Sequence, residues 1–319
     1  MRSSSWALVG IAGVVWCFAA ACATSGADGN DDAGPLATDS SAPVKDAASQ
    51  TKDAAKEATS VTEDASTASD ASTADEPDAA TPRAIVYGHT PDTLYAFDVT
   101  KNAATEIGAF SGCTQATTTQ VLDLAIDAYM KAYATTVDGL YQVDLTTAAC
   151  TLIKAGTYPN SLSFVPVGTL DPNVEALVGY SGNAYLRINP GTGVTSLVGT
   201  LSGGYQSSGD LVSVAGGGTF LTVTGNGCGD CLLQVDPKTG DLVQSYGALP
   251  HGAVYGLAYW SGTLYGFDGT GDIFSIGGGG DAGLVTSDLV ADGGLVWWGA
   301  GSTTIAPATS ADGGAIATQ

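Results

Sequence analysis

Two cysteines separated by two residues form the first arrangement in this sequence that could do chemistry. Cys228 and Cys231 flank a Gly-Asp pair, and such a motif can cycle between dithiol and disulfide when a helix N-terminus stabilises one thiolate. Here a Gly-Asn-Gly turn precedes the pair, and the strand-like run 232–236 follows it. We therefore expect a small disulfide that closes a hairpin loop.

Two further cysteines, Cys113 and Cys150, stand alone in the sequence. Four cysteines allow three connectivities, and closeness along the chain favours Cys113 with Cys150 and Cys228 with Cys231. Both bonds would require an oxidising compartment. A zinc site would need two more ligands at matching spacing, so we expect no metal at these cysteines.

Carboxylates are numerous, but few are spaced for catalysis. Asp268 and Asp272 could hold Ca²⁺, although no third ligand is evident and a hairpin turn explains them. No Gly-x-Ser-x-Gly elbow occurs in the sequence. His89 and His251 are the only histidines, so few residues are available for general acid–base catalysis. Four polar residues end equivalent runs and are predicted to bond turn backbone: Asp98, Asp144, Asn189 and Asp236.

Aromatic residues crowd two C-terminal runs and form a candidate ligand platform. The five residues are Tyr255, Tyr259, Trp260, Trp297 and Trp298. Packing in the core is the alternative explanation, and neighbours such as Trp297 and Trp298 should point to opposite faces of a strand.

The N-terminus has the pattern of an export leader. Arg2 is followed by an uncharged apolar run from Trp6 to Ala21, which is short for a spanning helix. The run ends in Ala-Ala-Ala-Cys22, which resembles the lipobox of bacterial lipoproteins, with Ala19 where that family prefers Leu. The resemblance implies cleavage after residue 21, lipidation of Cys22 and, because Ala23 follows, transfer to the outer membrane. An uncleaved N-terminal anchor is the alternative.

Residues 22–82 are predicted to form a disordered stalk. The segment is built from Ala, Ser, Thr, Asp, Glu and Gly without aromatic residues, so it cannot bury enough apolar area to fold. The formal net charge of the chain is −22. Both the stalk and the following domain are acidic. This acidity excludes a nucleic-acid partner and disfavours an anionic membrane surface.

A repeat of about 45 residues organises the chain from residue 83 onward. The repeated run is a short apolar strand that ends in a turn residue, and its copies end at residues 98, 144, 189, 236 and 277. Four short strands in each unit fit the blades of a propeller. We predict an all-β, five-bladed β-propeller over 83–307, with a flexible tail over 308–319.

The two ends of the repeat region complement each other. Residues 294–300 supply an inner strand without a blade, and the first unit, from residue 84, lacks an inner strand. End-to-end strand closure would therefore complete the ring and remove two exposed sheet edges.

The repeat resembles the PQQ-like, NHL-like and surface-layer (YVTN-type) propellers. The resemblance rests on the turns Asp236-Pro-Lys-Thr-Gly240 and Asn189-Pro-Gly-Thr-Gly193. Quinone-binding members carry a tryptophan shortly after this motif, and this chain does not. We therefore expect no quinone and no other cofactor.

These observations predict a monomeric, lipid-anchored module of the cell envelope, either periplasmic or surface-exposed. We expect it to act as a non-catalytic binding or scaffold protein for an envelope protein or glycan. The alternative is an extracytoplasmic propeller enzyme, a lyase or glycan hydrolase, with its site at the channel mouth. Ionisable groups with perturbed pKa values in the channel would favour the enzyme.

Overall fold

The computed structural model describes residues 85–113, 120–278 and 284–309. The predicted leader, Cys22 and the stalk over 22–82 lie outside the described residues. Within the described ranges, no helix has the length and apolar character needed to cross a membrane.

Twenty strands make up the described part of the chain. They are β1 (Ile85–His89), β2 (Thr93–Asp98), β3 (Ala103–Ala109), β4 (Val121–Ile126), β5 (Ala132–Thr136), β6 (Gly139–Val143), β7 (Cys150–Ala155), β8 (Ser161–Val165), β9 (Ala176–Ser181), β10 (Ala184–Ile188), β11 (Thr195–Thr200), β12 (Tyr205–Val214), β13 (Gly218–Gly225), β14 (Cys228–Val235), β15 (Leu242–Ala248), β16 (Val254–Trp260), β17 (Thr263–Asp268), β18 (Ile273–Gly278), β19 (Leu284–Val290) and β20 (Gly299–Gly301).

These strands form five antiparallel four-stranded sheets, which confirms the five-bladed propeller. From the inside outward, blade 1 is β20-β1-β2-β3, and blades 2 to 5 take the next strands in chain order, starting from β4, β8, β12 and β16. The five repeated runs of the sequence become the third strand of each blade, β2, β6, β10, β14 and β18. The repeat therefore marks the same structural position in every blade.

Ring closure is confirmed, with a shorter closing strand than predicted. β20 pairs antiparallel with β1, with Gly88 opposite Ala300. The sequence predicted an inner strand over 294–300, but only 299–301 is a strand. The two residues before β20 make hydrogen bonds outside it. The Trp297 N–H donates to the Asp268 carbonyl at 3.3 Å, and the Trp298 N–H donates to the His89 carbonyl at 2.9 Å.

The core lies between neighbouring blades and around the channel. All five residues of β8 are buried, whereas no residue is buried in the outermost strands β3, β7, β11, β15 and β19. Between blades 5 and 1, Trp297 packs edge-on against Phe267 and Tyr95, with ring centroids 5.4 and 5.3 Å apart. Edge-to-face aromatic packing of this kind adds to the stabilisation from burial.

The predicted polar turn residues also behave as expected. Each accepts a hydrogen bond on Oδ1 from the backbone N–H two residues later, at 2.7–3.0 Å. The residues are Asp98, Asp144, Asn189 and Asp236. Their repetition thus reflects turn geometry.

Both predicted disulfides are confirmed. Cys113, after the outer strand of blade 1, bonds Cys150 at the start of the outer strand of blade 2. Cys228 bonds Cys231, and both lie on β14, paired with β13, so neither sulfur lies at a helix N-terminus. Stabilisation of a thiolate by a helix N-terminus is therefore not available to this pair.

Candidate functional site

Two aspartates lie inside the central channel, on its inner strands. Asp123 on β4 and Asp210 on β12 are each 0 % exposed. At corresponding points of the other inner strands stand smaller residues, Ser161 on β8, Gly256 on β16 and Gly299 on β20. Because these three residues are small, the channel has room for both carboxyl groups.

Asp123 joins the inner strands of blades 2 and 3. Its Oδ1 accepts the Leu124 N–H at 2.8 Å, and its Oδ2 accepts the Leu162 N–H from β8 at 2.6 Å. Both carboxyl oxygens are therefore occupied by backbone donors.

Asp210 joins the remaining three inner strands. Its Oδ1 accepts the Leu211 N–H at 2.6 Å, while its Oδ2 accepts the Leu257 N–H at 2.7 Å and the Ala300 N–H at 3.2 Å. Together the two aspartates satisfy one inward N–H from each of the five inner strands. A buried N–H group without a hydrogen-bond partner lowers the stability of a fold. By accepting these N–H groups, the two aspartates connect the five inner strands at the centre of the ring.

The two carboxyl groups also contact each other, so the ionisation of one affects the other. Burial raises the pKa of Asp123 well above its usual value, and the charge of Asp210 and a hydrogen bond between the two carboxyls act in the same direction. Burial also raises the pKa of Asp210, to about 8. Because Asp210 accepts three N–H groups and Asp123 accepts two, Asp210 ionises first as the pH rises, and Asp123 keeps its proton to higher pH.

His89 borders the same space as a neutral imidazole. Its Nδ1 donates to the Thr90 carbonyl at 2.9 Å, and its buried Nε2 has no hydrogen-bond partner among the described residues. Burial lowers the pKa of His89 to about 4. A Cβ on Gly299 would collide with His89 Nε2 and Asp123 Oδ1, so glycine is required at this point of β20.

These three groups predict a specific dependence of stability on pH. The aspartate pair, with raised pKa values, stabilises the fold fully below pH 4 and loses that contribution as the pH rises towards about 8. His89 has a lowered pKa, so its contribution to the stability of the fold increases as the pH rises from 4 to 6.5. The free energy of unfolding should therefore fall between pH 6.5 and 8, by up to about 1.4 kcal/mol per pH unit for each of the two carboxyls. Urea denaturation of the wild type and Asp123→Asn at both pH values checks this, and an equal fall in both proteins would contradict it.

A pocket of about 500 Å³ opens directly above the aspartates, at the channel mouth. In each blade, the residue just before the channel-facing residue of the inner strand lines this pocket. The channel-facing residues are Asp123, Ser161, Asp210, Gly256 and Gly299. Tyr255, 38 % exposed, and the half-buried Trp298 supply the aromatic surface. The lining residues are Leu122, Asn160, Ser208, Gly209, Ala253, Tyr255, Gly269, Val296 and Trp298.

The opposite end of the channel is covered by the C-terminal segment 302–309. The Ala215 N–H donates to the Thr304 carbonyl at 2.9 Å, and the Thr304 hydroxyl donates to Glu175. The Tyr259 hydroxyl donates to the Ala308 carbonyl at 2.8 Å. A ligand that reaches the channel therefore does so from the Tyr255–Trp298 side.

The predicted five-residue platform is divided by the structure. Tyr255 and Trp298 share the mouth pocket, but Tyr259 and Trp297 are 2 % and 1 % exposed and pack in the core. Trp260 lies at the far end of β16, in an apolar groove with Ile305 and Pro307. Tyr255 is separated from Tyr259 and Trp260 because the two ends of β16 lie at opposite ends of the channel.

A second, larger groove lies at the covered end, between blades 2 and 3. It has a volume of about 890 Å³ and includes the exposed Tyr129, Lys131 and the Arg187 guanidinium, which pairs with Asp171 at 3.1 Å. Only two blades build this groove, and charged side chains line much of it.

Comparison with known proteins assigns no family to the chain. No family model and no curated protein matches it. Among solved structures, a chain of a nidogen/laminin complex matches with 8 % identity and a TM-score of 0.43, over 68 % of this chain and 97 % of that chain. The extracellular domain of a one-component system from B. thetaiotaomicron matches with 15 % identity and a TM-score of 0.36, over 67 % of this chain and 30 % of that chain. At these values neither likeness assigns a ligand to this protein.

Proposed function

We propose that the protein is a lipid-anchored, non-catalytic binding module of the cell envelope, with its ligand site at the channel mouth. The observation that carries this proposal is the floor of the pocket, where all four carboxyl oxygens of Asp123 and Asp210 accept backbone N–H groups. Carboxyls used in this way hold the blades together and are not available to a substrate. The mouth above them offers surface for binding.

A neutral glycan is the ligand class that suits this surface best. Tyr255 and Trp298 offer aromatic faces for the apolar face of a sugar ring, and Asn160 and Ser208 offer hydrogen-bonding groups beside them. The strongly acidic chain, with a net charge of −22, would repel a polyanionic polysaccharide.

The envelope location rests on independent features. The two disulfides favour an oxidising, extracytoplasmic compartment. Lipidation at Cys22, delivery to the outer membrane and the acidic stalk are parts of the proposal that derive from the leader and linker sequence. In this arrangement the stalk holds a monomeric propeller near the membrane and leaves it free to turn.

Trp298→Ala should weaken glycan binding at least about 10-fold, equivalent to about 1.4 kcal/mol. Chitohexaose, cellohexaose and maltohexaose are titrated into the protein by isothermal titration calorimetry. Tyr129→Ala is the matched control, because Tyr129 is 82 % exposed and lies at the opposite end of the channel. Failure of all three sugars to bind the wild type, or full affinity in Trp298→Ala, would refute the proposal.

A propeller enzyme is the second candidate, because Asp123, Asp210 and His89 converge in the channel with shifted pKa values, which is the feature that favours an enzyme. All three side chains are 0 % exposed, and substrate would have to displace inner-strand hydrogen bonds to reach them. Mass spectrometry of the same oligosaccharides after long incubation with the protein distinguishes an enzyme from a non-catalytic binding module. Shortened or unsaturated products, lost in a folded Asp123→Asn variant, would favour the enzyme.

A further inference from the structure

A histidine and three carboxylates meet on blade 5, beside the channel mouth. His251 precedes β16, Asp268 ends β17, Asp272 precedes β18 and Asp288 lies on β19. Gly269, the neighbour of Asp268, lines the mouth pocket. The sequence offered no third ligand for Asp268 and Asp272, and the structure supplies His251.

Three potential ligand atoms converge on one point of this cluster. His251 Nδ1 lies 3.0 Å from Asp268 Oδ2 and 3.8 Å from Asp272 Oδ2, and all three atoms lie within 4.8 Å of one another. Zn²⁺ binds histidine nitrogen and carboxylate oxygen at about 2.0–2.2 Å, so tetrahedral ligand atoms are about 3.3–3.6 Å apart. The two distances from Nδ1 lie within about 0.3 Å of this range, and the two carboxylate oxygens, which are within 4.8 Å of each other, would have to approach by at most about 1.2 Å.

The other nitrogen of the imidazole is held as metal-binding histidines usually are. His251 Nδ1 hydrogen-bonds Asp268 Oδ2 at 3.0 Å, and His251 Nε2 lies 3.2 Å from Asp288 Oδ1. A metal at Nδ1 would replace that hydrogen bond and leave Nε2–H directed at the Asp288 carboxylate. The ring stacks on Phe274, with centroids 3.7 Å apart and planes 5° apart. These contacts orient Nδ1 towards the two carboxylates.

The remaining oxygens of the ligand set are already used by the backbone. Asp268 Oδ1 accepts N–H groups of its own turn at 2.9–3.0 Å, and Asp272 Oδ1 accepts the Asp292 N–H at 2.7 Å. Both residues are thus fixed with one oxygen each directed at His251. No lysine or arginine of the described residues pairs with Asp268, Asp272 or Asp288, so the excess negative charge is unopposed by a side-chain cation.

We propose that His251, Asp268 and Asp272 bind a divalent transition metal, Zn²⁺ by ligand chemistry, at the rim of the channel mouth. Nitrogen among the ligands favours Zn²⁺ over Ca²⁺, which takes oxygen ligands. Three protein ligands leave one coordination position open towards solvent. This site is independent of the ligand class that occupies the mouth.

The test is calorimetric titration of Zn²⁺ into the full chain in detergent, after treatment with a chelator. The wild type should bind one Zn²⁺ saturably and gain thermal stability. Asp272→Asn removes a ligand while leaving an oxygen for the Asp292 N–H, and it should weaken binding at least 10-fold. Asp288→Asn should weaken it about 10- to 100-fold, since it removes the group that orients the imidazole.

Asp144→Asn is the matched control, because Asp144 is an exposed turn aspartate on another blade. It should bind Zn²⁺ as the wild type does. Absence of saturable binding, equal affinity in Asp272→Asn, or tight Ca²⁺ binding without Zn²⁺ binding would each overturn the proposal. In those cases the contacts of His251 with the carboxylates only stabilise the turns of blade 5.

Discussion

Asp210→Ala should abolish cooperative folding or lower the free energy of unfolding by at least about 3 kcal/mol. The change leaves three buried N–H groups without an acceptor, those of Leu211, Leu257 and Ala300, and each unsatisfied donor costs about 1–3 kcal/mol. Domains of this kind have only about 5–15 kcal/mol in total. Chemical denaturation followed by circular dichroism measures the loss.

Two further variants separate this effect from a general loss of charge. Asp210→Asn should be more damaging than Asp123→Asn, because Asp210 accepts three backbone N–H groups, whereas Asp123 accepts two. Asp144→Ala, in an exposed turn, should cost much less than Asp210→Ala. Equal losses of unfolding free energy in Asp210→Asn and Asp123→Asn, or a loss below about 1 kcal/mol in Asp210→Ala, would contradict the role of Asp210 in connecting the inner strands.

Deletion of residues 299–319 is expected to have an effect of similar size. It removes β20, exposes the edge of β1 and uncovers the far end of the channel. An exposed sheet edge is a template for association, so the shortened chain should aggregate or lose its cooperative unfolding transition. Analytical ultracentrifugation and thermal unfolding provide the measurements.

Deletion of residues 310–319 alone is the control, since β20 and the hydrogen bonds of Thr304 and Ala308 remain. This protein should unfold at the temperature of the full chain. Cooperative unfolding of the 1–298 chain at that same temperature would show that the propeller does not depend on ring closure.

Local sequence patterns account for most of the fold. The runs ending at Asp98, Asp144, Asn189 and Asp236 could be recognised because each strand and its turn occupy consecutive residues. Closeness along the chain likewise suggested both disulfides. Closure was predictable because the two chain ends each lacked what the other supplied.

The channel could not be predicted in the same way. Asp123 and Asp210 bond donors from other blades, and no local pattern shows which strands meet across a channel. A charged residue inside a predicted inner strand was the available signal in both cases. The same limitation hid the approach of His251 to Asp268 and Asp272, which are 17 and 21 residues further along the chain.

The platform prediction shows why residue type alone is insufficient. Tyr255 and Tyr259 lie on one strand, yet Tyr255 faces the mouth pocket and Tyr259 packs in the core. Trp297 and Trp298 are adjacent and also diverge, with Trp297 buried between blades. Burial and position along the channel decide which aromatic residues a ligand can reach.

Hydrogen–deuterium exchange of the wild-type protein, with and without the best-binding neutral oligosaccharide of the panel, tests the central claim most directly. We predict slower exchange in peptides that cover residues 253–257 and 296–300 at the channel mouth. Exchange should be unchanged in residues 302–309 and in the groove around Tyr129 and Arg187 at the opposite end. Protection confined to that groove, or no protection at the mouth with any of the sugars, would contradict the account.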